Sequence, residues 1–534
     1  MKKLVFKTVV CVIILATIVN CARRGSPSGG EKDMTPPVLL KASPELNSTN
    51  FNTKKIRLSF DEFVKIKDLQ KQLIISPPPN TIPEIRPQGS ASKKIEIIIK
   101  DSLYPNTTYV FNFGQSIVDN NEENPLPFFK YVFSTGNEID SLSVSGNITD
   151  ALNRKSENFV SVMLYEVDST FTDSIIYTKT PKYITNTLDS LTAFELSNLR
   201  EGTYMLVALK DIGKNNLFDQ KTDKIAFLEE FITVPTDSVY TLKLFKEVTN
   251  YAIYKPIHAA KNRIIFGYEG MGEFMDIQML TQVPEDYTYR TLKDPVKDTI
   301  NYWFTPFEAD SLVFRVVNNE FTDTLSVKMK DLYADSLTIS PVTRELSFTK
   351  PFTLSANIPL AATNQEKITL MDGDSTAIAF TTSLDTLKNT ISVSWDTEPQ
   401  KRYLMQLFPG ALTDMFGNVN DTLNYPLTTK SFADLGTINL KLRNVTSYPI
   451  LIQLTNDKGE VTVEKYVEAP KESHEFRYLD PGEYFIRVIF DTNKNGKWDT
   501  GNYLLKQQPE RISYFPGAVE LRANWELQQT FTLE

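Results

Sequence analysis

Apolar residues in this chain recur at alternate positions in short stretches that Asn, Asp, Pro and Gly interrupt, a pattern that suits strands and leaves no long helical stripe. Examples are Lys55-Ile56-Arg57-Leu58-Ser59-Phe60, Lys94-Ile95-Glu96-Ile97-Ile98-Ile99, Thr108-Tyr109-Val110-Phe111-Asn112-Phe113 and Val160-Ser161-Val162-Met163-Leu164-Tyr165. Strands of this kind at short spacing favour Greek-key sandwiches over a single closed barrel. A single core rarely serves more than ~250 residues, so a chain of 534 residues is expected to hold several sandwiches in tandem. The fold class expected is all-β.

Composition narrows the function. There are 57 Lys and Arg against 66 Asp and Glu, a formal charge of −9, which argues against the basic field that neutralises phosphates, so nucleic acid is not an expected partner. Two histidines, His258 and His474, and two cysteines, Cys11 and Cys21, leave little material for triad or zinc chemistry. Neither histidine has a second one at ligand spacing, and a surface or loop position is expected for both.

Lys2, Lys3 and Lys7 precede the apolar run Val9 to Ala16, which continues through Ile18 and Val19 to Cys21. A basic start and a short apolar core form a secretory signal, and the run falls short of the ~20 apolar residues of a comfortable membrane span. Cys21, followed by Gly25-Ser26-Pro27-Ser28-Gly29-Gly30, resembles the lipobox of bacterial lipoproteins. The resemblance implies removal of residues 1–20 as a signal peptide, lipidation of the Cys21 thiol and, since Ala22 rather than Asp follows, anchoring in the outer membrane, on a face the sequence leaves open. Residues 21–34 then form the lipidated start and a flexible tether, and no cysteine pair remains for a disulfide. The alternatives are an uncleaved anchor, or a secreted chain with a stray thiol.

Thr35-Pro36-Pro37, Ser43-Pro44, Leu58-Ser59-Phe60-Asp61-Glu62-Phe63-Val64, Tyr104-Pro105-Asn106-Thr107-Thr108-Tyr109, Asp119-Asn120 and Tyr131-Val132-Phe133-Ser134-Thr135 follow one another in order. On these features residues 35–136 resemble a bacterial Ig-like domain of the S-layer (SbsA-like) type. Residues 137–248, with Phe194-Glu195-Leu196 and then Leu199-Arg200-Glu201-Gly202-Thr203-Tyr204-Met205-Leu206, resemble the prealbumin-like domain appended to carboxypeptidases and to many bacterial surface proteins. Leu199, Gly202, Tyr204, Asp211, Lys214, Asn215 and Asp219 recur 280 positions later as Leu479, Gly482, Tyr484, Asp491, Lys494, Asn495 and Asp499. That internal repeat makes residues 431–534 a second prealbumin-like sandwich. Leu354 to Pro359, Asp414-Met415-Phe416-Gly417-Asn418 and Tyr425 to Thr429 echo the Ig-like pattern more faintly and mark 341–430 as a divergent second copy. Residues 249–340 between the pairs read as a β-sandwich of unassigned type. Stacked in order, the modules are expected to form a rod.

The sharpest local motif runs from Asp491 to Asp499. Oxygen side chains at Asp491, Asn493, Asn495 and Asp499, with Gly496 at the turn and Lys497 after it, match the first part of a calcium loop, and structural calcium is the one cofactor suggested. The twelfth position is Asn502 instead of a bidentate Glu, so an acid such as Asp480 or Glu510 has to fold in; the alternative is an Asx-rich turn that bonds its own backbone. In the first copy Gly213 removes a ligand, and a metal-free turn is expected.

The middle segment is rich in aromatic residues. Tyr287, Tyr289, Tyr302 and Trp303 are candidates for a platform that stacks on a sugar or anchors a protein; packing between modules explains the same residues. Tyr302-Trp303-Phe304 alternates across a strand, so at least one ring faces outward or into a neighbouring module.

The functional expectation is a non-catalytic envelope lipoprotein that presents tandem sandwiches for binding or scaffolding, held to the membrane by its N-terminal lipid and facing an envelope protein or glycan. The alternative is a surface polysaccharide- or peptide-processing hydrolase with catalytic carboxylates in the middle module. Asp61-Glu62, Glu122-Glu123, and Asp372 with Asp374 are further acids that such an enzyme could draw on.

Overall fold

The computed structural model describes residues 32–188, 191–343 and 345–533; the segment expected to be a signal peptide, Cys21 and most of the expected tether lie outside the described residues. Strands dominate throughout, and they assemble into five successive sandwiches, each with its own apolar core.

In the first module, strand Lys55–Ile66 alternates Ile56, Leu58 and Phe60 inward with Arg57 and Ser59 outward. It pairs with Leu39–Ser43 on one side and Ser92–Ile98 on the other. A second sheet of Ile74–Ser76, Thr108–Asn112 and Lys130–Ser134 closes the core with Tyr109, Phe111, Tyr131 and Phe133. Period-two alternation is what a sheet with one buried face requires.

The second and fifth modules share one topology. In the second, Leu142–Asp150 pairs antiparallel with Ala193–Leu199 and parallel with Val239–Leu244. In the fifth, Gly436–Arg443 pairs in the same senses with His474–Leu479 and Glu526–Thr532. The opposite sheets centre on Gly202–Lys210 and Gly482–Phe490. Register reveals an insertion between the copies: Val207 pairs with Phe227, while its counterpart Arg487 pairs with Tyr514. The offset therefore grows from 280 to 287, and the fifth module carries seven extra residues at about 500–506.

Those seven residues decide how the modules are arranged. The second module meets the third through Lys221–Glu269 at 2.9 Å. The third meets the fourth where the Arg290 guanidinium donates to the Leu360 carbonyl at 3.0 Å and Trp303 meets Phe416 with ring centroids 6.5 Å apart. The fourth meets the fifth through the rings of Phe348, Phe432 and Tyr478 and through Lys430–Asp480 at 2.6 Å. The inserted loop of the fifth then returns to the second: Tyr503, with 0% exposure, joins the second module's outer core of Met163, Met205, Val207 and Phe227. The expected rod is thus corrected to a closed circuit of four modules with the first attached to the second. Burying that ring on a face that would otherwise expose an apolar cluster favours the closure, alongside bonds from Thr500, Gln508 and Arg487 to the carbonyls of Lys246, Phe227 and Leu152.

Candidate functional site

The two repeat loops and the surfaces they hold together bring several polar groups into one place. In the fifth module, buried Asp491 ends strand Gly482–Phe490; its Oδ1 accepts from the Asn495 N–H at 3.1 Å and its Oδ2 from the Gly496 N–H at 2.8 Å. Glu510 clips both ends of the loop, taking the Thr492 N–H at 2.7 Å on Oε1 and the Asp499 N–H at 3.1 Å on Oε2. Of the two acids that could fold in, Glu510 does so, and Asp480 is instead paired with Lys430.

The first copy repeats this wiring. Asp211 Oδ2 accepts from Asn216 N–H at 2.7 Å, and buried Asp223 takes Ile212 N–H and Asp219 N–H, each at 2.9 Å. Asp223 does the work of Glu510 from a position that identity-matching of the repeat does not reveal, because the insertion separates them. Burial raises the Asp211 carboxyl above the ordinary range, opposed by hydrogen bonds from the backbone of Asn216 and Lys214.

The donor set of the fifth-module loop fits a calcium ion in part. Asn493 and Asn495 both direct their amides at Asp499 Oδ2, at 2.7 and 2.6 Å. The loop backbone sets that orientation, because Asn493 Oδ1 accepts the Asn495 N–H at 3.1 Å and Asn495 Oδ1 the Lys497 N–H at 3.0 Å, so an ion that recruited the two carbonyl oxygens would have to displace those turn bonds. The Lys497 ammonium leaves the loop for Glu273 at 3.0 Å, so only its backbone oxygen could serve. Among the described residues no group of three or more His, Cys, Asp or Glu side chains is placed to hold a metal ion; any ion here relies on amide and backbone oxygens.

The aromatic platform is largely corrected. Tyr302 has no exposed surface and Trp303 only 2%. Tyr302 packs in the third module's core and bonds hydroxyl to hydroxyl with Tyr287 at 2.7 Å. Trp303, on the opposite face, lies under Arg263 and against Phe416 of the fourth module. Tyr289 stacks on Tyr302 with centroids 5.0 Å apart and is 48% exposed, so one open ring remains where four were candidates. Both faces of that strand are buried because a neighbouring module covers the second one.

The histidines are also placed differently from the expectation. His258 and His474 are both buried, on strands Ile257–Ala260 and His474–Leu479. His258 Nδ1 accepts the Lys330 N–H at 3.0 Å. Burial lowers the pKa of each below the ordinary imidazole value, which keeps them neutral as packing groups. Asp372 accepts the Asp374 and Thr376 N–H groups as a turn former. In the first module, Asp119 accepts four N–H groups from residues 121–124.

Between the second and fifth modules lies a cleft of about 1050 Å³. Phe227, Glu229, Glu230 and Phe231 line it from the second module, and Ile512 and Tyr514 from the fifth. Gln508 crosses one end, its amide donating to the Phe227 carbonyl at 3.0 Å. Buried Arg487 joins the modules, donating to Gln453 Oε1 at 2.6 Å and to the Leu152 carbonyl of the second module at 3.0 Å. Nothing in the sequence pattern pointed to this cleft, because its walls come from segments some 280 positions apart.

A family model described as bacterial Ig-like domain matches residues 33–135. Among solved structures, the chain is similar to the major pilin subunit of Bacillus cereus at 10% identity, over 74% of this chain and 99% of that one, with a TM-score of 0.14. It is similar to domains 1-6 of surface layer protein SbsC at 11% identity, over 91% and 67%, with a TM-score of 0.14. It is also similar to the Bacillus anthracis TIE protein at 10% identity, over 95% and 76%, with a TM-score of 0.14. No curated protein matches the chain.

Proposed function

We propose that this chain is a non-catalytic lipoprotein of the outer membrane, in which a closed circuit of β-sandwiches forms a stiff scaffold for binding within the envelope. The observation that carries the scaffold reading is the seating of Tyr503 of the fifth module in the core of the second. A string of independent modules on flexible joints has no use for a seven-residue insertion that locks its end to its beginning; a rigid frame does. The Ig-like match over residues 33–135 supports a module of the kind that envelope proteins employ, and the lipobox-like segment ending at Cys21 supports the anchor. More than one acyl chain, as lipoprotein modification supplies, holds a protein on a bilayer durably where a single chain does not.

Membrane fractionation of cells making the wild-type chain and Cys21→Ala tests the anchor. The wild type is expected in the outer-membrane fraction and the variant free of it; equal membrane retention would overturn the anchor. Protease added to intact cells then distinguishes an outward-facing scaffold, which is cut, from a periplasmic one, which is protected until lysis.

Calcium belongs to the same proposal as a stiffener of the loop Asp491 to Asp499, directly before the inserted residues. Asp491, Asn493, Asn495, Asp499 and the Lys497 carbonyl would hold it, and its charge would offset the carboxylates. Extracellular modules of this type bind calcium at ~10⁻⁴–10⁻³ M, and an ion at a hundredfold excess over its Kd stabilises by about 2.7 kcal/mol. Calcium is therefore expected to raise the melting temperature of the full chain, and Asp499→Asn to abolish that rise. An unchanged melting temperature in calcium would remove the ion from the account.

A further inference from the structure

We propose that the first module rests on the lipid bilayer through the outer face of the sheet built on Lys55–Ile66, with Val38, Leu40 and Phe63 entering the headgroup region. This rests on the anchoring side of the proposed function and goes beyond it by assigning the face that the anchor brings down. Strand alternation places the three side chains. Leu39 packs against the first core, and Phe60 and Val64 lie within it, so Val38 and Leu40 on one strand and Asp61 and Phe63 on the next turn to the other face. A bulge at Leu40, between the Leu39–Phe60 and Lys41–Ser59 pairs, keeps Leu40 and Lys41 both outward. The Asp61 N–H donates to the Val38 carbonyl at 3.1 Å, which sets the two strands side by side here. Leu40 is 68% exposed, Phe63 55% and Val38 52%, and Met34 on the segment leading in is 71% exposed. Neighbouring apolar side chains held in water mark a surface that something else covers.

What covers them follows from the chain. Cys21 precedes Lys32 by eleven residues, which span at most about 40 Å when fully extended. An acyl group on Cys21 therefore keeps this end of the first module close to the bilayer, at an effective concentration that populates even a weak contact. The charges around the face offset one another, as suits apolar entry into an interface instead of capture by one sign of headgroup. Lys41, Lys93 and Lys94 are exposed; the Lys93 ammonium lies 5.7 Å from the Phe63 ring centroid and donates to the Asp61 carbonyl at 2.7 Å. Long lysine stems of this kind lie along an apolar surface while the ammonium stays with water or phosphate. Opposite them, the Asp61 and Asp33 carboxylates accept the Val38 N–H at 2.8 Å and the Thr35 N–H at 2.9 Å. Burial, and then the charges of Asp119, Asp61, Asp33 and Glu122, raise the Glu62 carboxyl above the ordinary range. Arg57, further along the strand, is paired with Glu96 at 2.8 Å.

The test is flotation with vesicles of phosphatidylethanolamine and phosphatidylglycerol, using the chain from Ala22 onward, which carries no acyl group and loses no residue of the first core. Partitioning of up to about 10⁴ M⁻¹, the strength of one acyl chain, is expected, and it persists in high salt because apolar burial is not screened. Leu40→Ser with Phe63→Ser is expected to weaken it about tenfold or more, since both side chains lose their apolar transfer. A second measurement keeps the wild-type Phe63 and uses the acylated chain. A nitrobenzoxadiazole dye placed through Leu40→Cys is expected to shift to the blue and to be quenched by lipid-borne nitroxide. The same dye placed through Leu387→Cys, at a position 90% exposed in the fourth module, is expected to report water. Absence of vesicle binding, binding that high salt abolishes, indifference to the two serines, a dye at position 40 that stays in water, or a dimer that the two serines dissolve in place of vesicle binding would each overturn the proposal. The unacylated chain reads the face whether or not Cys21 is modified, and the acylated chain floats with membranes even when the face does not bind, so the two readings fail separately.

Discussion

Replacing Tyr503 by alanine is expected to detach the fifth module from the second and to cost about 3–5 kcal/mol, the range for truncating a buried aromatic side chain. The ring is wholly buried in a module that is not its own, edge-on to Phe227 at 5.3 Å, with its hydroxyl donating to the Asp173 carbonyl at 2.9 Å and Lys506 over its face at 4.4 Å. The Tyr503 N–H also donates to Oε1 of the buried Glu247, whose Oε2 accepts from Gln220 at 2.9 Å, so displacing the loop removes one of these two bonds and adds to the loss. Each module keeps its own core, so far-ultraviolet circular dichroism is expected to stay unchanged while the radius of gyration measured by small-angle X-ray scattering increases. Tyr503→Phe, which loses only the hydroxyl bond, is expected to cost about 1 kcal/mol and to leave the circuit closed. An alanine variant as compact as the wild type would mean that the remaining contacts hold the modules without this ring.

Phe133→Ala is expected to produce an effect of similar size confined to the first module. Phe133 lies at the centre of an aromatic cluster, 3.8 Å from Phe51, 5.3 Å from Tyr109 and 6.0 Å from both Phe111 and Tyr131 by ring centroid. Its removal forfeits about 3–5 kcal/mol of burial and leaves a cavity between two sheets. The first module touches the second through a narrow seam, in which Ile74 packs against the second module's outer core and Ser76 meets Ile184, Lys130 meets Ser197, Thr108 meets Asp140 and Arg200 meets the Asn106 carbonyl. Calorimetry is therefore expected to show one transition moving down by about 15–30 °C, the shift such a loss produces in a domain of this length, while the others stay in place. A uniform shift of the whole profile would show that the first module unfolds together with the circuit.

Much of this architecture is written in local pattern. The alternation in Lys55–Ile66 or Leu142–Asp150 declares a strand with one buried face, and the matched Gly202-Thr203-Tyr204 and Gly482-Glu483-Tyr484 declare two copies of one module. What stayed hidden depends on surfaces far apart in the chain. Tyr503 reads locally as one aromatic in a polar loop, and only Asp173, Met205 and Phe227, nearly 300 positions earlier, give it a place to be buried. The insertion that carries it was visible as a break in the 280-residue offset after Asp499, yet a gap-free match ends before it. Trp303 took the second of its two readings, packing against Phe416 of the neighbouring module, whereas the histidines were misjudged because each lies on the inward face of its strand, His258 opposite Ile264 and His474 opposite Leu440. Within the loop, the oxygen-bearing residues were legible because Asx turns and calcium loops demand the same spacing, and that shared demand is why spacing alone could not separate the two.

Closure of the circuit can be read most directly by zero-length carbodiimide coupling of the native monomer followed by peptide mass spectrometry. Lys506 and Asp173 lie 2.5 Å apart and Lys497 and Glu273 3.0 Å apart, so isopeptide bonds joining each pair within one chain are expected, together with the bond between the adjacent fourth and fifth modules at Lys430 and Asp480. Recovery of the Lys430–Asp480 product without either long-range product would show that the fifth module does not return to the second, and the scaffold would revert to an open string.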